Sequence, residues 1–383
     1  MPRIEKFESG HFETAFQYKY FVPNKVDVDW FWDSPLLNKL LEKAAIKLGE
    51  LNSYARMVPN IDLFIQLHVA KEAVVSSKIE GTQTRIEEAL LPIEDIQPER
   101  RDDWQEVNNY INALNAAVSQ LERLPLSSRL LRNTHELLMQ GVRGENKQPG
   151  EFRQSQNWIG GSSLADAVFI PPQHLLIPEL MSDLEQFLHN EEVFVPDLIK
   201  IAIAHYQFET IHPFLDGNGR VGRLLITLFL VSKGILDKPL LYLSMFFEKN
   251  RSLYYDKLSA VRTKNDLLNW VSFFLIGIEE TASKAVSTLS HVLLLKEQKE
   301  QLIDTEFGRR SSSAKVLLHG LFHEPTISVE KAVALTGLSF KAANDLVQLM
   351  REKGILTEQT GQSRNRIFVF EEYLQAFEYG EGK

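Results

Sequence analysis

Cysteine is absent from the 383 residues. That excludes disulfides, thiolate metal centres and a cysteine nucleophile, and leaves the chain indifferent to redox compartment. Long apolar runs are also missing. The most apolar stretch, Leu224–Val231, lies between Arg223 and Lys233 and falls far short of the ~20 residues a membrane span needs. The opening residues MPRIEKFESG mix both charge signs without an apolar h-region, so no signal peptide is expected. No fixed-period repeat or low-complexity tract occurs. Positive charge is in deficit: 42 Lys+Arg against 51 Asp+Glu give a net charge of −9. This argues against a whole-surface nucleic-acid binder while allowing one basic face. With 44% hydrophobic and 24% charged residues, the composition is that of an ordinary globular protein. Its length suits about two or three domains, expected in the cytoplasm and off the membrane.

Helical periodicity dominates. Behind Pro35, which suits a first helical turn, Leu36, Leu37, Leu40, Leu41, Ala44 and Leu48 share a face. Further stripes run through Asp62–Ile79, Trp104–Leu124, Ser128–Gln140, Pro178–Leu188, Asp197–Ile211, Gly222–Ser232, Tyr254–Arg262 and Leu267–Leu295. Proline and glycine punctuate them, at Pro92, Pro98, Pro125, Pro149-Gly150, Pro171-Pro172, Pro213 and Gly234. Gln156–Pro172 differs. Two β-prone runs, Asn157–Ile159 and Ala167–Ile170, flank the turn-rich Gly160-Gly161-Ser162-Ser163, predicting a β-hairpin. Toward the C-terminus, Ser311–Phe322, Val329–Thr336 and Phe340–Lys353 read as three helices. Gly354–Thr357 and Arg366–Phe370 then read as a wing, the order of a winged helix-turn-helix.

Chemistry concentrates in Ile211–Leu225, IHPFLDGNGRVGRLL. Gly217–Gly222 satisfies G-x-G-x-x-G, but a helix-period stripe precedes it and no βαβ unit surrounds it, so a dinucleotide-binding strand-turn-helix is excluded. What remains is helix, loop, helix. Pro213 places His212 at the end of the first helix, where it is a proton acceptor near pH 7. Gly217 and Gly219 permit a tight turn, and the amides of Gly217–Gly222 then face out of a helix N-terminus, a ready anion site. Arg220 and Arg223 sit on one turn, where both could fork onto phosphate oxygens. Asp216 is a hard oxygen ligand suited to Mg²⁺ beside phosphates, and the Asn218 amide can donate. A base, a metal ligand and an anion cradle within residues 212–223 point to nucleotidyl or phosphoryl transfer. Other signatures fail. His135-Glu136 lacks the second histidine of a zinc-protease helix, His205 and His212 are too far apart for an i, i+4 metal pair, and neither a P-loop nor a G-x-S-x-G elbow occurs.

His212-Pro213-Phe214-Leu215-Asp216-Gly217-Asn218-Gly219-Arg220-Val221-Gly222-Arg223 matches H-x-F-x-[DE]-G-N-G-R-x-x-R at every specified position, and the chain resembles the Fic family of protein adenylyltransferases. The resemblance implies an all-α Fic fold with a small β-hairpin flap, followed by the winged helix-turn-helix. It implies AMP transfer from ATP to a Ser, Thr or Tyr hydroxyl of a protein, including the chain itself. His212 would be the general base, Asp216 the Mg²⁺ ligand and Phe214 the core anchor. Gly217, Asn218, Gly219, Val221 and Gly222 would cradle the phosphates, with Arg220 and Arg223 on the triphosphate tail. Ser76-Ser77-Lys78-Ile79-Glu80-Gly81 resembles the family's inhibitory pattern [ST]-x-x-x-E-[GN], so Ser76, Glu80 and Gly81 are expected to bring the Glu80 carboxylate onto Arg223. Pro149–Arg153 resembles the approach to the flap, whose Asn157, Trp158, Ile159 and Gly160 would line the ATP and target path. Asn250 resembles a nucleotide contact; Tyr254 and Tyr255 read equally well as core aromatics.

The expected layout is therefore an N-terminal helical domain over 1–120, a catalytic core over 121–298 and a winged helix over 305–383. Basic side chains scattered near the recognition helix and wing (Lys341, Arg351, Lys353, Arg364, Arg366) leave two partners open for the last, DNA or protein, the latter including a homodimer. Relatives that remove AMP or transfer phosphate or phosphocholine keep a second reaction open on the same fold. The G-N-G-R loop with Asp216 favours adenylylation.

Overall fold

The computed structural model describes residues 3–15, 17–89, 93, 96–142, 146–358 and 366–376; Arg364 of the expected wing, and Pro92 among the expected breaks, lie outside them. Strands β1 (Gly10–Ala15) and β2 (Tyr18–Pro23) open the order, followed by helices α1 (Pro35–Met57), α2 (Ile61–Ile79), α3 (Ile86–Ala89), α4 (Arg101–Gln120) and α5 (Ser128–Leu138). Next come α6 (Ile177–His189), α7 (Asp197–Ile211), α8 (Asn218–Ser232), α9 (Ser244–Lys249), α10 (Arg251–Lys264) and α11 (Leu267–Glu306). The last stretch holds α12 (Ser311–His323), β3 (Thr326–Ser328), α13 (Val329–Thr336), α14 (Phe340–Glu352), β4 (Thr357–Glu358), β5 (Ile367–Val369) and α15 (Glu371–Ala376). The fold is mostly helical, as the sequence predicts, and among the described residues no helix is long and apolar enough to cross a membrane. Contacts divide the chain into two units, residues 1–49 with 68–282 and residues 50–67 with 283–383.

In the first unit α7 and α8 form the centre. From Leu198 to Ile211 α7 is buried on every side, which a sequence apolar on all faces requires. Its few polar groups are tied down: Lys200 Nζ donates to Asn190 O at 2.8 Å, Gln207 Nε2 to Asn24 O at 3.0 Å. His205 joins α7 to α8 and α10, its Nδ1 donating to Gly222 O at 2.9 Å and its Nε2 accepting from the Tyr254 hydroxyl at 3.0 Å. Burial lowers its pKa to about 3, so the ring is neutral and that tautomer is fixed by its two partners. Tyr254 is thus a core residue.

The expected flap hairpin shrinks to a single antiparallel bridge, Ile159 to Phe169. Gly160 and Gly161 both take positive φ (69° and 77°), and the Ser162 and Ser163 amides and hydroxyls all turn onto the Asp166 carboxylate. That local network holds the link curled and stops the ladder after one pair. The regular hairpin of this unit is one the sequence reading did not find: β1 and β2 pair antiparallel from Gly10↔Pro23 to Ala15↔Tyr18. Phe21 N then donates to Ile170 O at 3.0 Å, which ties β2 to the end of the flap.

In the second unit the three C-terminal helices lie where the stripes place them. Ser328 and Ser339 cap α13 and α14, accepting from Lys331 N and Ala342 N, and Gly337, at φ 68°, closes α13 in the left-handed region. A three-stranded sheet runs β3-β5-β4; β3 had no signal beyond three residues between two helices. Phe322, Phe370 and Tyr373 pack as edge and tilted aromatic pairs over the buried Leu317, Val347 and Met350.

Candidate active site

The corner between α7 and α8 is built on a left-handed residue. His212 has φ 50° and ψ 61°, a conformation that costs a non-glycine residue of order 1 kcal/mol or more and is held from several sides. Arg153, 2% exposed, donates Nε to His212 O at 3.0 Å, Nη1 to Ser155 O at 3.0 Å and Nη2 to Pro172 O and Ile211 O. A guanidinium thus caps the last carbonyls of α7, where the helix dipole favours a cation. Below it, Phe214 is fully buried and stacks on His135 at 3.9 Å, interplanar angle 7°, which is worth about 1.5–3 kcal/mol for the burial alone. His135 Nδ1 accepts from Gly150 N at 2.9 Å, so Nε2 carries the hydrogen and donates to Asp216 O at 3.0 Å. Burial lowers the His135 pKa to about 4.

Two of the expected ligand amides serve this scaffold. Asn218 Oδ1 accepts from Phe214 N at 2.8 Å and its Nδ2 donates to Phe214 O at 2.9 Å, so the side chain closes the loop instead of facing a phosphate. Asn157 Nδ2 likewise donates to Phe214 O at 2.9 Å. His212 itself presents a half-buried ring whose Nδ1 is buried without a partner. Burial and the nearby Arg153 lower its pKa to about 4 against a smaller opposing pull from Glu80. The imidazole is therefore neutral at pH 7, ready to accept a proton.

The start of α8 forms an anion seat, and a carboxylate from far upstream fills it. Gly217, at φ 74°, precedes the helix, and Asp216 Oδ1 takes its amide at 2.6 Å. A Cβ placed on Gly219 would run into Glu80 Oε1 and sit 3.0 Å from Arg223 Nη1. Glu80 thus occupies the space over the first turn, where unpaired amides and the helix dipole favour negative charge. Arg223, buried, donates Nη2 to Glu80 Oε1 at 2.8 Å, and holds Ser76 twice, Nε to Oγ and Nη2 to O, both at 2.8 Å. Burial pushes the Glu80 carboxyl up, but Arg223 outweighs it, with Arg220 and His212 adding to the same pull, and the net shift is downward. Gly81, at φ 111°, ends α2 with its amide on Lys78 O at 3.0 Å, and Arg251 Nη2 takes Ile79 O at 2.7 Å. Further back on α2, the buried Glu72 accepts from Tyr110 and Ser244 hydroxyls.

Arg220, expected on a triphosphate tail, has its Nη2 3.9 Å from Asp216 Oδ1. Its side chain is buried and donates Nη1 to Glu106 Oε2 of α4 at 3.1 Å, with Met139 Sδ beside Nη2 at 3.6 Å. Asn250 caps α9, its Nδ2 on Phe246 O at 2.9 Å. A Cβ on Gly222 would strike Glu209 Oε1, so this glycine leaves room for a buried carboxyl that burial raises to about 7. Asp216 is half exposed; among the described residues no three His, Asp or Glu gather into a ready-made cage. Open beside Glu80 is a cleft of ≈ 760 Å³, walled by Phe12, Tyr18 and Lys19 of the β1–β2 hairpin, Ile159, Gly160 and Phe169 of the flap, and Arg251, Tyr255 and Arg262 of α10. Trp158 is exposed. Sequence reasoning missed Arg153, His135 and Glu106, whose partners lie far away along the chain, and Glu209, whose Oε1 is buried without a partner.

Residues 38–119 match the Fic/DOC family N-terminal segment and residues 125–230 the Fic/DOC family itself. The chain is similar to the protein adenylyltransferase Fic of Culex quinquefasciatus, 36% identical over 156 residues, covering 39% of this chain and 28% of the relative. It is also similar to the protein adenylyltransferase Fic of Drosophila melanogaster, 30% identical over 199 residues, covering 51% of this chain and 35% of the relative. The match therefore spans about a third of these relatives' own length. A crystal structure of a Fic family protein from Desulfovibrio desulfuricans G20 shares the fold at TM-score 0.58 and 22% identity, covering 88% of this chain and 96% of that one. A Fic domain containing signaling protein from Bacteroides thetaiotaomicron VPI-5482 does so at 0.53 and 17%, covering 67% and 97%. Residues 38–119 and 125–230 thus match the two Fic/DOC segments, the solved Fic structures share the fold, and the 212–223 motif is folded into one corner.

Proposed function

We propose that the chain is a nucleotidyltransferase of the protein-adenylylating kind, moving AMP from ATP to a protein hydroxyl, and that Glu80 restrains it. The observation that carries this reading is the carboxylate of Glu80 lying over Gly219 in an ion pair with Arg223: the corner is a site for an anion, and here an internal one stands in for the triphosphate. With Glu80 withdrawn, the α8 amides and Arg223 would take the phosphates. Arg220 and Asn218 would act by keeping the loop in shape, Arg220 through Glu106 and Asn218 through Phe214. Asp216, a half-exposed carboxylate at the start of α8, fits a Mg²⁺ that takes one protein carboxylate and completes its shell from phosphates and water. When bound, the metal would neutralise phosphate charge.

The chain's own residues account for the rest. Arg153 fixes the backbone of His212, and the desolvated, neutral imidazole takes the proton of the target hydroxyl. The hydroxyl oxygen bonds to the α-phosphorus as the bond to pyrophosphate breaks. An extended target segment would lie in the cleft along the flap. Replacing His212 by Ala is expected to abolish transfer of label from [α-³²P]ATP; undiminished labelling would remove the base from the mechanism.

We read the second unit, α12–α14 with the sheet β3-β5-β4, as a winged helix serving protein contacts, either with a target or with a second copy of the chain. Among the described residues, three of its cations are paired at home, Arg351 and Arg366 with Glu358 and Lys353 with Glu306, which lowers the charge it offers to phosphates of DNA. A salt-dependent shift of duplex DNA by the full chain would contradict this.

A further inference from the structure

Among the described residues lining the cleft, three cations, Lys19, Arg251 and Arg262, face one anion, Glu80, in a chain of net charge −9. Arg251 already holds the end of α2 through Ile79 O. Arg262 is arranged differently. Its guanidinium carbon lies 3.9 Å from the ring centroid of Phe169 in the flap, and its Nε donates to Leu258 O at 3.2 Å within α10. Its Nη1 is buried with no acceptor. Stacking on an aromatic face sets the plane of the fork, and an unsatisfied charged donor is costly in such surroundings. A carboxylate is the group that matches a planar fork with two parallel hydrogen bonds.

The position of this cation separates it from the phosphate seat. The charges acting most strongly on Glu80 are those of Arg223, Arg220 and His212, whereas Arg262 acts on His212 and Glu209. Its stacking on Phe169 puts it on the flap wall of the cleft, where the proposed target segment would lie. We propose that the cleft selects an acidic target segment, with an Asp or Glu flanking the acceptor hydroxyl held by Arg262. This rests on the adenylyltransferase reading and names its substrate class.

The test uses the full chain carrying Glu80→Gly, Mg²⁺, [α-³²P]ATP and a peptide library with Ser, Thr or Tyr fixed at the centre and degenerate neighbours. Labelled peptides are expected to be enriched about tenfold in Asp and Glu beside the acceptor, the gain of one charge-assisted contact. Individual peptides with Glu changed to Gln should lose that advantage in kcat/KM. Adding Arg262→Gln should bring the Glu-to-Gln ratio close to one, and Arg262→Lys, which keeps charge without the fork, should fall between. Calorimetry with ATP should give the same Kd with and without Arg262→Gln, which also shows that the variant is folded. An unchanged ratio in the Arg262→Gln protein would overturn the proposal, as would a loss of ATP affinity equal to the loss of transfer, since Arg262 would then serve the nucleotide. If the Glu80→Gly protein labels no peptide and not itself, the adenylyltransferase reading fails and the proposal with it.

Discussion

Replacing Glu80 by Gly removes one of the three hydrogen bonds on the buried Arg223 guanidinium and leaves the two to Ser76 in place. A hydrogen bond to a charged group is worth about 1.5–3 kcal/mol. The Glu80 side chain is 35% exposed, so solvent screening reduces this to about 1–2 kcal/mol. If Glu80 and the γ-phosphate compete for the same arginine, that energy is returned to nucleotide binding, and 1–2 kcal/mol is a factor of about 5–30. Self-labelling by [α-³²P]ATP should rise by that factor in Glu80→Gly. Glu80→Gln, which keeps an acceptor but no charge, should give an intermediate rise. The variant should unfold at slightly lower denaturant, because Arg223 loses a charged partner but keeps Ser76. Equal labelling by wild type and Glu80→Gly at ATP concentrations well below saturation of either would refute the competition and leave the 2.8 Å pair as a structural tie only.

Three more outcomes are expected. Arg153→Lys, which cannot reach the Ser155, Pro172, Ile211 and His212 carbonyls together, should cut transfer by about 100-fold through misplacement of His212 while ATP affinity, read by calorimetry, changes little; parallel losses in both would point to collapse of the whole corner. Restraint by Glu80 should be unaffected between pH 8 and 6, because its carboxyl lies below the ordinary 4.5. The ion pair is present above that value and is lost only as pH falls through the lowered folded-state pKa, so derepression at pH 6 in a labelling assay would contradict it. Burial raises Glu209 from 4.5 to about 7, so the folded chain keeps a proton that the unfolded chain has released, and rising pH across that window costs up to ~3 kcal/mol. Glu209→Gln should therefore gain in Tm over wild type as pH goes from 5 to 8, and a constant difference would show that Glu209 does not titrate there.

What the sequence revealed follows from the range of the interactions. His212, Asp216, Gly217 and Gly219 share one turn, so spacing alone assembles them. Ser76 and Glu80 are one helical turn apart, so both reach Arg223 together. The side chains that hold the corner were invisible for the opposite reason. Arg153 meets His212 across 59 residues, His135 meets Asp216 across 81 and Glu106 meets Arg220 across 114, and no local period encodes such pairings. Arg220 and Asn218 bond to the scaffold here, a placement spacing does not reveal, because a cation and an amide on a phosphate-binding turn look alike whether they face a ligand or the scaffold. The flap was read from β-prone residues, but Asp166 captured its link. The β-prone run Tyr18–Val22, which pairs with β1, lay unnoticed ahead of the first helical stripe.

The central claim is that the 212–223 corner grips a nucleoside triphosphate so that its α-phosphorus meets a hydroxyl. Incubating the Glu80→Gly protein and Mg²⁺ in parallel with ATP labelled at the α- or the γ-phosphate tests it most directly. Covalent label is expected from the α-position, none from the γ-position, and pyrophosphate released in equal amount. Label retained from the γ-position, or no label from either, would contradict it.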